Sequence, residues 1–168
     1  TYAAPMHDVG KIGIPDKIMS KPGSLTPEEF DVIKTHTKIG GRLLSKCKSN
    51  ILKMARKIAL CHHERYDGTG YPSGLSGSQI PQCARIVAIA DTFDALISKR
   101  PYKDPYPPEV VRDILSKERG KQFDPQVVDI FMDHYDEFLS IRSESGSPQE
   151  AAAYTLSQRD QADPVPEQ

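Results

Sequence analysis

Tryptophan is absent from this 168-residue chain, and cysteine is scarce. The three cysteines, Cys47, Cys61 and Cys83, are an odd number without C-x-x-C spacing. That excludes a disulfide framework and a zinc ribbon. Free thiols suit a reducing compartment, so the expected location is the cytoplasm. No apolar run approaches the roughly 20 residues of a membrane-spanning helix. Residues 1–6 hold no charged stretch leading into an apolar one, so no signal peptide is read. Neither sign of charge dominates: 22 Lys and Arg against 23 Asp and Glu leave a net charge of −1. No long-range field therefore points to polymeric nucleic acid or to an anionic membrane. Alternating strand runs, hairpin signals and internal repeats are missing as well.

What is present has helical period. Thr26-Pro27-Glu28-Glu29 is a capping-box start, with Thr26 at the N-cap and Pro27 at the first helical position. Phe30, Ile33, His36, Gly40, Leu43 and Cys47 follow on one stripe. Further helices are expected over residues 50–63, 82–98, 108–117 and 124–140. The fold class is all-α, with an ordered unit at residues 1–142. Residues 143–168 are rich in Ser, Gln, Asp, Glu and Pro and poor in large apolar side chains, so a disordered tail is expected there. Residues 64–81 carry Gly68, Gly70, Gly74, Gly77, Pro72 and Pro81, the composition of a shaped surface loop.

The histidines carry the chemistry. His7 adjoins Asp8 ahead of Gly10. His36 lies on the apolar stripe of its helix. His62 and His63 close the next one. Asp91 interrupts the apolar run 86–95, where a carboxylate is costly unless it is paired or metal-bound. Each has an ordinary explanation alone: a hydrogen-bonded core histidine, a helix-end cation, a buried ion pair. Four inward imidazoles and two inward carboxylates on separate helices of one small domain do not. Imidazole and carboxylate together suit first-row divalent metals. Six candidate ligands exceed one tetrahedral site, and a metal pair is the standard device for phosphoester hydrolysis. Lys11 lies near this set. Arg100 and Lys103, around Pro101-Tyr102, read as a phosphate clamp rather than ordinary surface charge.

The segment His7-Asp8-Val9-Gly10-Lys11-Ile12-Gly13-Ile14-Pro15-Asp16 resembles the HD core of the HD superfamily of metal-dependent phosphohydrolases. His62-His63-Glu64-Arg65-Tyr66-Asp67-Gly68-Thr69-Gly70-Tyr71-Pro72 resembles the signature of its HD-GYP branch. His36 to Gly40, Ala90 to Ala95 and Arg100 to Lys103 match in order and spacing. The resemblance covers about residues 3–132. It implies an HD-type helical bundle with two or three divalent metals, iron or manganese, and hydrolysis of cyclic di-GMP in bacterial second-messenger signalling. It assigns the metal ligands as His7, Asp8, His36, His62, His63 and Asp91, with Asp8 bridging. His7 and Asp91 join one metal; His36, His62 and His63 hold the second. Lys11 sits near the scissile phosphate, paired with Asp94. Arg100 and Lys103 contact the phosphates. Gly70 and Tyr71 line the pocket, and the 68–72 loop also serves protein contacts.

The family places further helices ahead of the HD pair, one of them with another ligand, whereas six residues precede His7 here. The expectation is therefore a domain lacking its N-terminal helices. Two other readings stand beside the cyclic di-GMP phosphodiesterase. One is a catalytically impaired module acting as nucleotide sensor or docking domain. The other is a phosphohydrolase of another nucleotide, against which the Gly70-Tyr71-Pro72 loop argues.

Overall fold

The computed structural model describes residues 2–99 and 104–145. Arg100 and Lys103, and the expected tail from residue 146 onward, lie outside the described residues.

Among the described residues every regular element is a helix, as in an HD-type bundle. Two 3₁₀ turns, Ala4–Met6 and Val9–Gly13, carry the HD pair between them. Helix α1 (Asp16–Met19) is a single turn. Helix α2 (Pro27–Leu43) starts with the expected capping box: Glu29 N–H donates to Thr26 Oγ1 at 3.3 Å, and Thr26 N–H donates to Glu29 Oε2 at 2.8 Å. Helix α3 (Asn50–Cys61) stops one residue before the paired histidines, with His62 as its C-cap. A further 3₁₀ turn, Gly77–Gln79, lies in the Gly-rich segment ahead of α4 (Gln82–Ile97). Helix α5 (Pro108–Lys117) has the expected bounds.

The last expected helix is two. Helix α6 (Pro125–Asp133) ends at His134, where φ is −112°, and α7 (Tyr135–Ser145) begins at once. No glycine or proline marks this break. Its effect is to seat Tyr135 in the core, where its hydroxyl donates to Pro108 O at 2.6 Å.

Three apolar clusters surround the centre of the bundle. Phe93, Val111, Leu115, Phe123, Val128 and Phe131 join α4 to α5 and α6. Ala55, Ile58, Ala59 and Val87 join α3 to α4. Ile14, Ile18 and Ile33 fasten α1 to α2. A second polar anchor is Asp124, which is buried, ion-paired with Arg85, and accepts from Gln126 N–H at 2.9 Å as the cap of α6.

The tightest approach brings the HD turn onto α2. A Cβ on Gly10 would fall 1.9 Å from His36 O and 2.5 Å from Gly40 N. Only a residue without a side chain permits this contact, and the contact fixes Asp8 over the face of α2 that carries His36.

Candidate metal centre

The ligand set assembles from four places in the chain. His7 caps the first 3₁₀ turn and Asp8 opens the second. His36 comes from mid-α2, His62 and His63 from the end of α3, and Asp91 from α4. One ligand atom each from Asp8, His36, His62 and His63 lies within 4.8 Å of all the others. Asp8 reaches both ways. Its Oδ1 is 3.4 Å from His36 Nε2 and 3.6 Å from His62 Nε2. Its Oδ2 is 3.1 Å from His7 Nε2, which lies 3.5 Å from Asp91 Oδ1.

The imidazoles are oriented by the backbone. His7 Nδ1 lies 2.9 Å from Ala4 O, His36 Nδ1 2.7 Å from Ile33 O, and His62 Nδ1 3.0 Å from Ile58 O. A carbonyl only accepts, so each Nδ1 carries a proton, and in the neutral form of a ring its Nε2 lone pair turns inward. The Nε2 atoms of His36 and His62 then face each other at 3.5 Å, lone pair to lone pair. His7 Nε2 is buried and makes no hydrogen bond of good geometry. This is a poor arrangement for a metal-free core and a good one for a divalent cation, with the backbone carbonyls serving as the outer partners that metal-binding histidines use. The residues fit a metal.

The electrostatics agree. Burial, with His62 nearby, pushes the His36 imidazole down to about 4. Burial also holds His63 well below the ordinary histidine value, helped by His62 and His36. Both rings are neutral and ready to donate a lone pair. For Asp8, burial works toward the neutral acid, but contacts with His62 and His7 and the Lys11 charge outweigh it and hold the carboxyl far below the usual range. For His7, burial lowers the value, while the close carboxylates of Asp8 and Asp91 overcome it and push the ring up to about 10. A cation entering between the two carboxylates replaces that proton.

Lys11 Nζ donates to Asp8 Oδ2 at 2.8 Å. Asp94, to which the family resemblance assigns Lys11, is 2.8 Å from Arg142 Nε. A cation is thus held against a carboxylate of the candidate ligand set. Tyr71 stacks on His63 with ring centroids 4.8 Å apart. Gly70 sits so tightly under the loop that a Cβ there would lie 2.2 Å from Arg65 N.

Beside the ligands opens a cleft of about 330 Å³. Gly70 and Tyr71 line it, as do His62, His63 and Asp91. So does Thr69 of the 68–72 loop, expected to line the pocket, and so do Phe30, Lys34, Arg65 and Gln122, for which the sequence suggests no role.

Glu64 is another residue without an expected role. It is buried and accepts from Ser73 N–H at 2.8 Å and Leu75 N–H at 2.9 Å, one on each carboxylate oxygen. It closes the Gly-rich loop from within. The signal available in the sequence was a lone acid directly after two ligand histidines. Glu64→Ala is expected to destabilise the fold by about 1.5–3 kcal/mol for each hydrogen bond to the carboxylate that is lost. Urea unfolding measures this, and Glu64→Gln, which keeps one acceptor, should recover part of the loss.

A family profile described as HD domain matches residues 1–127. A cyclic di-GMP phosphodiesterase of Thermotoga maritima is 54% identical over 131 residues, 78% of this chain and 36% of that protein. A cyclic di-GMP phosphodiesterase response regulator of Xanthomonas campestris is 52% identical over 130 residues, 77% of this chain and 34% of that protein. A 3'3'-cGAMP-specific phosphodiesterase 2 of Vibrio cholerae is 45% identical over 141 residues, 84% of this chain and 27% of that protein. The chain spans about a third of the length of these curated relatives. With an HD pair bridging two converging ligand groups and a profile match across most of its length, the chain belongs to the HD domain family.

Proposed function

We propose that this chain carries the catalytic centre of a metal-dependent phosphodiesterase acting on cyclic di-GMP, with two divalent ions, iron or manganese, as cofactors. The observation that supports it best is the sharing of Asp8 between two ligand groups beside a polar cleft. Asp8, His36, His62 and His63 would hold one ion; His7, Asp8 and Asp91 would hold the other. When bound, the metal pair polarises the phosphoryl oxygens and supplies a nucleophile at neutral pH. The protein contributes position and charge. Lys11 stays on Asp8 and offers positive charge at the edge of the ligand cluster. Arg100 and Lys103 are assigned to the phosphates on sequence alone. The 68–72 loop, with Tyr71 against His63, walls the nucleotide side of the cleft. The relatives' names, cyclic di-GMP in some and 3'3'-cGAMP in others, support a cyclic dinucleotide as the substrate class.

The two groups differ in donors: four against three, with Asp8 common to both. Manganese titrated into the metal-free chain should therefore fill in steps, the four-donor group first and the other at about tenfold or more higher concentration, the scale on which one supporting ligand acts. Cyclic di-GMP turnover should follow the second step. Calorimetry and product analysis side by side check this. A chain that takes no metal overturns the proposal. A chain that fills both sites and binds the nucleotide without hydrolysing it fits the sensor or docking module instead.

A further inference from the structure

The Gly-rich loop is clamped to the connection between α5 and α6 by a short polar network. Tyr66 N–H donates to Gln122 O at 3.1 Å, and Asp67 N–H donates to Lys121 O at 2.8 Å. Arg65 donates to Gln122 Oε1 at 3.1 Å, to Glu118 Oε2 at 2.9 Å and to Thr69 Oγ1 at 3.0 Å. Gln122 also borders the cleft, together with Thr92 and the ligand Asp91.

This network fixes which way the Gln122 amide points. Arg65 has only donors, so the Gln122 atom facing it is the oxygen. The NH₂ group is therefore the other end. One of its hydrogens meets Thr92 Oγ1 at 3.4 Å, a hydroxyl that gives its own proton to Ala88 O. The amide nitrogen keeps a second N–H for a ligand. Two neighbouring side-chain acceptors, Glu64 and Thr69, are engaged. Both oxygens of Glu64 hold backbone N–H groups, and Thr69 Oγ1 accepts from Arg65 while donating to Asp67. Beside Asp91, which belongs to the candidate metal ligands, this wall offers the cleft the second N–H of Gln122 as a donor.

We propose that Gln122 is a specificity-determining residue, reading the purine edge of the cyclic dinucleotide and favouring guanine over adenine. This rests on the cyclic-dinucleotide reading given above. Guanine presents two acceptors on its Hoogsteen edge, O6 and N7, whereas adenine presents the N7 acceptor and the N6 donor. The Gln122 donor suits the first and faces the second donor to donor. The question is set by the relatives themselves, whose names divide between cyclic di-GMP and 3'3'-cGAMP at comparable identity to this chain. Gln122 and Arg65 are 57 positions apart, so no local motif would show the pairing.

Gln122→Glu tests it. The carboxylate keeps the bond to Arg65, and with it the clamp, but turns an acceptor toward the cleft in place of the donor. The manganese-loaded full chain is titrated with cyclic di-GMP and with cyclic di-AMP by calorimetry. The variant should bind cyclic di-GMP about tenfold more weakly, the range of one hydrogen bond lost. Cyclic di-AMP should bind unchanged or more tightly, so the preference for guanine collapses. Gln122→Ala should weaken cyclic di-GMP alone, without the gain for adenine, and decides the matter if the Glu variant does not fold. Equal weakening of both nucleotides would mean that Gln122 touches phosphate or only braces the loop, and would overturn the inference. A parent chain that binds neither nucleotide would overturn the cyclic-dinucleotide reading and this inference together.

Discussion

His36→Ala and His62→Ala should each strip the four-donor site of its metal, lowering affinity by more than about a hundredfold. That exceeds the tenfold to hundredfold cost of disturbing a group that only supports a ligand. Both Nε2 atoms converge on Asp8 Oδ1 and stand 3.5 Å apart. Removing one leaves three donors and a buried cavity where the ring had been. The same geometry predicts how stability changes. Without metal, the parent chain holds two inward lone pairs against each other, and loss of one ring relieves that contact. With metal at a hundred times its dissociation constant, the parent gains about 2.7 kcal/mol that the variants cannot gain. Thermal melts should therefore separate parent from variants more widely in manganese than in chelator, where only the cavity left by the ring tells them apart. His134→Ala is the control, because His134 is exposed and pairs with Glu137 far along the chain from the ligands. Unchanged metal content in both variants would overturn the assignment of this site.

The candidate ligand group was legible as a joint pattern, and two of its members break a local rule. His36 occupies a core position on an amphipathic stripe, and it is 1% exposed. Asp91 interrupts an apolar run and is buried at 7%. A polar residue where the helical period demands an apolar one is visible in one dimension. The bounds of α5 and the capping box of α2 were legible for a similar reason, since Pro108 and Thr26 are local signals. What the sequence did not carry is contact between distant residues that break no rule. Gln122 is an ordinary polar residue in a turn, and only the fold sets it against Arg65 and Thr92. The break at His134 has no Gly or Pro because packing makes it: Tyr135 is pulled inward by Phe93, Phe131 and its bond to Pro108. The contact of Lys11 with Asp8, three residues away, lies within a single turn and adds to the pairing with Asp94 that the family resemblance implies.

Gly10→Ala should be among the most damaging single-methyl changes in the described residues. The residue touches no ligand and bears no chemistry. Yet its missing Cβ is what lets the HD turn lie on α2. A methyl group would stand 1.9 Å from His36 O and 2.5 Å from Gly40 N, and both are backbone atoms in the middle of a helix. Neither can rotate away as a side chain would. The turn must therefore lift, and it carries His7 and Asp8 with it, while His36 stays on the helix below. Overpacking against backbone belongs at or above the upper end of the usual range, about 3 kcal/mol. Metal binding should fail along with stability, since Asp8 would lose its register with His36 and His62. The two losses can be separated. Gly23→Ala, at a loop glycine with φ of 98° and open space around it, should cost some stability through backbone strain and leave metal affinity unchanged. Gly10→Ala should lower both, even at a temperature and denaturant concentration where circular dichroism shows the variant still helical. Calorimetric titration of manganese into the two variants under those conditions measures the difference. Equal metal affinity in both would show that the close approach at Gly10 does not set the position of the HD pair.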